Sequence, residues 1–392
     1  MPASAPLPRL VLTLGWISLF MDLSTEAINS ILPAFMAGLL GLGASEIGLI
    51  QGLGELGSTV LQDFSGRLSD RLQRRRGLIL LGYSLSALSK PLFALAHGLG
   101  GLLLAQVSDR SGKGLRDAPR NALLAAHILP QQRGAAFGLR QAMDTLGALL
   151  GPLSMMLMLS ALHLPMRLAM LVCFLPALMC VVLIIAALPQ DPARQAARPA
   201  APVAAPWARE SGFQQLLFIA GALSLARFNE GFLILDLHDE GIRDAHLPWL
   251  MIIMNSVYAL LALPAGKLSD RWPRPYLLAA AVALLLLATS LMAVHQGPFI
   301  VFIAGALWGA HLALSQGVMS ALIADHSPEA HRAQAFGRYA LVSGVALLIG
   351  NVLLGALIDH LGWGWAMLWA AIWSALSLLL ILRLPPVTRV SP

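Results

Sequence analysis

Charge is scarce in this sequence. Lysine, arginine, aspartate and glutamate make up 12% of its 392 residues, about half the share in an average soluble domain. Cysteine is nearly absent. Cys173 and Cys180 fall in one apolar stretch, seven residues apart, where thiols pack as small apolar groups. Two such cysteines cannot make a disulfide framework or a cysteine-rich metal centre. There is no G-x-S-x-G and no H-E-x-x-H, so the usual marks of a hydrolase or a zinc peptidase are missing, and no cofactor is implied. No Asn-x-Ser/Thr sequon occurs, and no appended soluble domain offers a sensor something to work through. What is abundant is apolar: 57% of residues are hydrophobic and the mean hydropathy is +0.73. That composition belongs to a polytopic membrane protein surrounded by lipid. The formal charge of +6 could suggest nucleic acid, but the basic residues cluster in short loops between apolar runs, so no nucleic-acid partner is expected.

Twelve spans are readable, at 10–37, 46–66, 77–97, 99–125, 134–160, 166–188, 212–238, 247–266, 276–295, 297–323, 333–359 and 363–384. Each is near the ~20 residues that cross a ~30 Å hydrocarbon core. The first is too long for a cleaved signal peptide and has no small-residue cleavage site. Sixteen lysines and arginines in loops and tails fall on one side of these spans. Only Arg167 and Arg243 fall on the other. By the positive-inside rule both termini and the 189–210 segment are cytoplasmic, in a multi-pass protein of a bacterial inner membrane. The 189–210 segment is rich in Pro, Ala and Arg and reads as a linker. It separates an N-terminal six-helix bundle (1–188) from a C-terminal one (211–392).

The halves repeat. Gly66-Arg-Leu-Ser-Asp70-Arg71 follows span 2, and Gly266-Lys-Leu-Ser-Asp270-Arg271 follows span 8. Arg133-Gly-Ala-Ala-Phe137-Gly138 opens span 5, and Arg332-Ala-Gln-Ala-Phe336-Gly337 opens span 11. Parallel repeats of this kind imply a pseudo-two-fold axis along the membrane normal. On these residues the chain resembles the major facilitator superfamily over its whole length. The loop signature Gly-x-Leu-x-Asp-Arg-x-Gly-Arg-Lys/Arg reads from Gly66 to Arg75 here, with Gln73 at the second glycine. Gly138, Gly147, Gly151 and Pro152 match the glycine pattern of the family's antiporters. Arg110-Ser-Gly-Lys113-Gly114 is similar to the family's Arg-x-x-Gln-Gly motif, with Lys113 for the glutamine. The resemblance implies an all-α fold of two six-helix bundles, with spans 1, 4, 7 and 10 lining a cavity and span 5 bending to seal against proton leak.

Charges inside the spans mark the candidate site, because each costs about 2.5–3.5 kcal/mol at a bilayer centre. Span 4 holds six ionisable residues between Asp109 and Arg120. Asp109, Lys113, Arg116 and Arg120 lie on one helical stripe, and Arg110 and Asp117 beside it. Asp109 is expected to pair with Lys113, and Asp117 with Lys113 or Arg110. Arg110 is the candidate coupling arginine, and Lys113 with Arg116 could hold an anionic substrate. Span 1 carries Asp22, Glu26 and Asn29 on one face. Two acids on a desolvated face suit proton binding, and a packing salt bridge to span 4 is the alternative. Glu55 in span 2 can serve transport or pair with an arginine of span 4 or 5. Span 5 aligns Arg140, Asp144, Gly147 and Gly151. In the first half, Asp22, Glu26, Glu55, Asp109, Asp117 and Asp144 stand against Arg110, Lys113, Arg116, Arg120 and Arg140, six acids against five bases.

The second half is poorer in charge. Arg227 and Glu230 form an i, i+3 pair in span 7. In span 10, His311 is either packed and hydrogen-bonded, or touches ligand, or relays protons. Trp308 beside it could wall a ligand. Asp63, Gly66, Asp70, Arg71, Gly266, Asp270 and Arg271 are candidates for a cytoplasmic gate, with Asp70 and Asp270 expected at the N-termini of spans 3 and 9. His238, Asp239, Glu240, Asp244 and His246 in the loop between spans 7 and 8 are metal-capable but match no standard spacing, and no metal site is expected. These readings converge on a proton-coupled secondary transporter that acts as a monomer and exports a small organic molecule. The alternative is a carrier of a divalent metal or its chelate.

Overall fold

The computed structural model describes residues 9–72, 75–126, 128, 133–188, 211–294, 297–327 and 332–384; the 189–210 linker lies outside them. Among the described residues every regular element is helical. The first crossing is α1 (Arg9–Asn29), the short α2 (Leu32–Ala34) and a π-helical turn (Phe35–Leu39). Then come α3 (Ala44–Leu72), α4 (Arg75–Leu95), α5 (Leu99–Ala126) and α6 (Arg133–Ser160). The sixth crossing is the pair α7 (Met166–Val172) and α8 (Phe174–Ala187). Six more follow the linker: α9 (Ser211–Ala226) with α10 (Gly231–Asp239), α11 (Pro248–Arg271), α12 (Arg274–Val294), α13 (Pro298–Asp325), α14 (Arg332–Leu361) and α15 (Trp363–Leu382). Ten crossings are apolar enough, by length and composition, to span a bilayer. The other two, α3 and α5, are long enough at 29 and 28 residues but carry the charge. This is an all-α, multi-pass membrane protein.

Two helices run further than their apolar spans. The Gly-x-Leu-Ser-Asp-Arg repeats continue α3 to Leu72 and α11 to Arg271. Asp70 and Asp270 therefore end one helix and do not begin the next, contrary to expectation. Polar residues do not stop a helix by themselves. In the second copy the stop comes at Pro273, which has no N–H and disfavours helical backbone at Trp272 before it.

The chain divides into two compact units. The first comprises Met1–Phe35, Leu53–Pro199 and Asp244–Pro248; the second comprises Met36–Gly52, Ala200–Arg243 and Trp249–Pro392. In the first unit α1 lies along α6, and α4 along α5. Glycine sets both distances. A Cβ on Gly147 would stand 2.5 Å from the Leu19 carbonyl oxygen, and one on Gly112 would stand 2.5 Å from that of Gly82. Backbones this close leave room only for hydrogen at those positions. Ile17, Met21, Tyr83, Leu124 and Cys180 are buried beside these contacts. In the second unit, Asp359 of α14 accepts hydrogen bonds from the amides of Ala44 and Ser45, both at 2.8 Å. It thereby caps the N-terminus of α3, where free amides and the helix dipole favour a carboxylate.

Candidate functional site

The charges of α5 are buried within the first unit. Asp109, Arg110, Arg116 and Arg120 are each less than a tenth exposed. Asp109 does not pair with Lys113 as expected. Its Oδ1 takes Lys90 Nζ of α4 at 2.7 Å and the Ser89 hydroxyl at 3.2 Å. Lys90 is wholly buried and also reaches Thr25 Oγ1 at 3.0 Å. Lys90 projects from the neighbouring α4 and is wholly buried against Asp109, whereas Lys113 is exposed. Lys113 is left exposed with no ion pair among the described residues, so the stripe of four divides, three buried and one not.

Asp117, too, chooses other partners than those expected. It sits 3.2 Å from Arg120 and 4.0 Å from Arg116. Arg116 donates to Ser86 Oγ at 2.5 Å and lies over the Tyr83 ring. Arg120 donates to Ser18 and Tyr83, both at 3.1 Å. Arg110 pairs with Glu55 at 3.1 Å, which is the pairing the sequence allowed. Lys90 stood outside the sequence-level charge count. With it, six bases meet six acids in the interior of this unit.

Asp22 is different. It is half-buried on α1 and forms no hydrogen bond or ion pair among the described residues. The charges of Asp144, Glu26, Lys113 and Arg116 act on it. Asp144 itself is held by Arg140 at 2.6 Å, one helical turn away. Gly147 and Gly151 bring this face of α6 onto α1: a Cβ on Gly151 would meet the Leu23 carbonyl oxygen at 2.7 Å. Gly138, expected in the same packing motif, has nothing within 4 Å of such a Cβ. Pro152 lies inside α6, and Asn29 ends α1.

Among the gate candidates, Asp63 pairs with Arg67 of its own helix at 2.7 Å, and both are well exposed. Gly66 makes an ordinary contact with Ala118, and Gly266 has open space around it. The side chains of Asp70, Arg71, Asp270 and Arg271 lie outside the described residues.

In the second unit the seventh crossing is broken. Residues 227–230 leave the helix between α9 and α10, so Arg227 and Glu230 are not the helical pair expected. The freed Asn229 amide donates to Asn351 Oδ1 at 2.8 Å, and Asn229 Oδ1 accepts from Gly231 N at 2.8 Å. A break inside a membrane must find such partners. Arg227 instead reaches His311 Nε2 at 2.8 Å and Ser315 Oγ at 2.7 Å. His311 Nδ1 lies 2.8 Å from the Ala281 carbonyl oxygen. A carbonyl only accepts, so Nδ1 carries the hydrogen and Nε2 accepts from Arg227. His311 is thus the packed, hydrogen-bonded residue of the three options. Trp308 is 1% exposed and packed on Phe228, with ring centroids 4.7 Å apart. It belongs to the core and walls no open site. Among the described residues no group of three His, Cys, Asp or Glu side chains is placed to hold a metal ion.

Lys90, Tyr83, Ser86 and Asn351 join this machinery without having been singled out from the sequence. Lys90 carried a usable signal, since a lone charge in an apolar span requires a partner. Tyr83 and Ser86 carried none.

The family model of the major facilitator superfamily matches residues 14–235 and again 216–392. The chain belongs to the major facilitator superfamily. Members are transporters, and this one is 28% identical over 364 residues to an uncharacterized MFS-type transporter of Methanocaldococcus jannaschii, a match covering 90% of this chain and 89% of that protein. A shorter likeness, 32% over 145 residues, links it to the multidrug resistance protein MdtH of Cronobacter sakazakii, over 37% of this chain and 34% of that one. Its fold matches a solved peptide transporter, POT, in complex with alafosfalin, with TM-score 0.80 over 97% of this chain and 96% of that one at 16% identity. Within the first unit, a carboxyl with no hydrogen bond or ion pair among the described residues thus stands beside a set of paired charges.

Proposed function

We propose that this protein is a proton-coupled antiporter that moves a small organic molecule out of the cell by alternating access. Its termini lie in the cytoplasm and its helices in the bacterial inner membrane. The observation that carries this reading is Asp22. Of the charges that act on it, Arg116 and Asp144 are engaged in a hydrogen bond and an ion pair, whereas Asp22 forms neither among the described residues. A proton is the smallest cation that can neutralise it. Glu26, one turn on, shares its face. The glycine contacts between α1 and α6 tie any shift at Asp22 to the backbone of α6. The likeness to a multidrug resistance protein supports export, and the sixteen-to-two asymmetry of loop charge supports the orientation.

The test is proton movement in proteoliposomes during efflux of a panel of organic cations, anions and neutral compounds. Substrate-driven proton flux should vanish in Asp22→Asn, while exchange of labelled for unlabelled substrate, which needs no net proton transfer, should persist. Full coupling in both Asp22→Asn and Glu26→Gln would overturn the proton assignment.

A further inference from the structure

A second carboxyl is stranded in the second unit. Asp236 of α10 is 8% exposed and forms no hydrogen bond or ion pair among the described residues. It faces a cavity of about 140 Å³ lined also by Asp239, Glu240, Met292, Gly297, Val301 and Trp363. That is room for roughly four or five water molecules. The walls come from the end of α10, the end of α12, the start of α13 and the start of α15. All four ends lie away from the arginine-rich loops.

The cavity is built, not incidental. Asp236, Asp239 and Glu240 fall at i, i+3 and i+4, so one face of α10 presents all three acids. Asp239 Oδ2 is held by Trp363 Nε1 at 3.0 Å, and Glu240 Oε1 by the Gly297 amide at 3.1 Å. Gly297 has φ +120° and Gly362, just before Trp363, has φ +86°; only glycine takes these conformations at little cost, and they deliver both donors. No lysine or arginine among the described residues pairs with any of the three acids. The carbonyl end of α10 adds further negative potential. A carboxylate removed from water without a partner is costly, and Asp236 is the deepest of the set.

We infer that this cavity binds a small organic cation of the primary ammonium class. A bare divalent ion needs several oxygens converging on one point, and no such convergence exists among the described residues. Asp239 and Glu240 are already turned toward N–H donors on the walls, which leaves acceptor oxygens distributed around the space. An alkylammonium matches that distribution. Its three N–H donors reach separate carboxylates, its alkyl body meets Met292 and Val301, and the Trp363 ring favours positive charge at its face. The site is distinct from the Asp22 network and does not depend on proton coupling.

The experiment is calorimetric titration of the full-length protein in detergent with ethylammonium chloride against sodium chloride at equal ionic strength, with magnesium and calcium chloride as further arms. Saturable binding of ethylammonium is expected, weakened about tenfold or more in Asp236→Asn. Glu240→Gln, at the exposed rim, leaves Asp236 in place and should weaken binding about threefold even if Asp236→Asn fails to fold. No saturable binding by the folded wild-type protein, an unchanged affinity in either variant, or tighter binding of the divalent ions would overturn the inference. None of these results depends on whether transport is coupled to protons.

Discussion

At the scale of single residues, the membrane interior makes pairing compulsory. Lys90 shows the consequence most directly. It is fully buried, bonded to Asp109 and Thr25, and has no route to water. Removing one member of such a pair leaves an uncompensated buried charge, which costs about 3–5 kcal/mol, whereas replacing both by apolar groups is often neutral. Lys90→Met should therefore lower the thermal unfolding midpoint of the purified protein sharply, and the double variant Lys90→Met with Asp109→Leu should recover most of the loss. If the double variant is as unstable as the single, the pair is not the source of the effect. The presence of charged residues in the spans was legible in the sequence, because hydropathy alone shows where they stand. Their partners were not. Helical spacing offers Lys113 to Asp109, and only the packing of α4 on α5 brings Lys90 closer. Arg110 with Glu55 was legible because α3 offers few other acids at that depth.

At the scale of elements, helix ends and helix contacts obey different rules, and the sequence reports them unequally. The outer ends of α4, of the sixth crossing (α7 with α8) and of α15 follow from apolar length. The ends of α3 and α11 do not, because a polar helix can run on past the membrane until something forbids it, as Pro273 does. The break between α9 and α10 is also silent in sequence. Arg227-Phe-Asn-Glu-Gly contains no proline, and the break holds because Asn351 accepts the freed amide. Glycines divide likewise. Gly147 and Gly138 belong to one sequence pattern, yet a Cβ at Gly147 would strike backbone and one at Gly138 would meet open space. Gly147→Ala should destabilise the α1–α6 contact by about 1–3 kcal/mol through overpacking. Gly138→Ala should be neutral or stabilising by up to ~1 kcal/mol, the helix preference of alanine over glycine. Comparing the two unfolding midpoints decides the matter. An equal loss at both positions would show that the pattern, not the close approach, sets the cost.

At the scale of the whole molecule, the same asymmetry of charge that orients the chain can be read out chemically. Basic loop residues resist translocation, so the side holding sixteen of them should stay in the cytoplasm. The two native thiols are silent reporters for such a test, since Cys173 is 3% exposed and Cys180 is 0% exposed. Two glycines provide sites that tolerate a side chain. Gly98 lies between α4 and α5, at the end away from the arginines. Gly266 lies near the arginine-rich end of α11. A Cβ at either meets nothing within 4 Å. In intact cells a membrane-impermeant maleimide should label Gly98→Cys and spare both the wild-type protein and Gly266→Cys. After permeabilisation Gly266→Cys should label as well. Labelling of Gly266→Cys but not Gly98→Cys in intact cells would invert the orientation. It would also place the Asp236 cavity on the cytoplasmic side, where a cation would meet it before the crossing and not after.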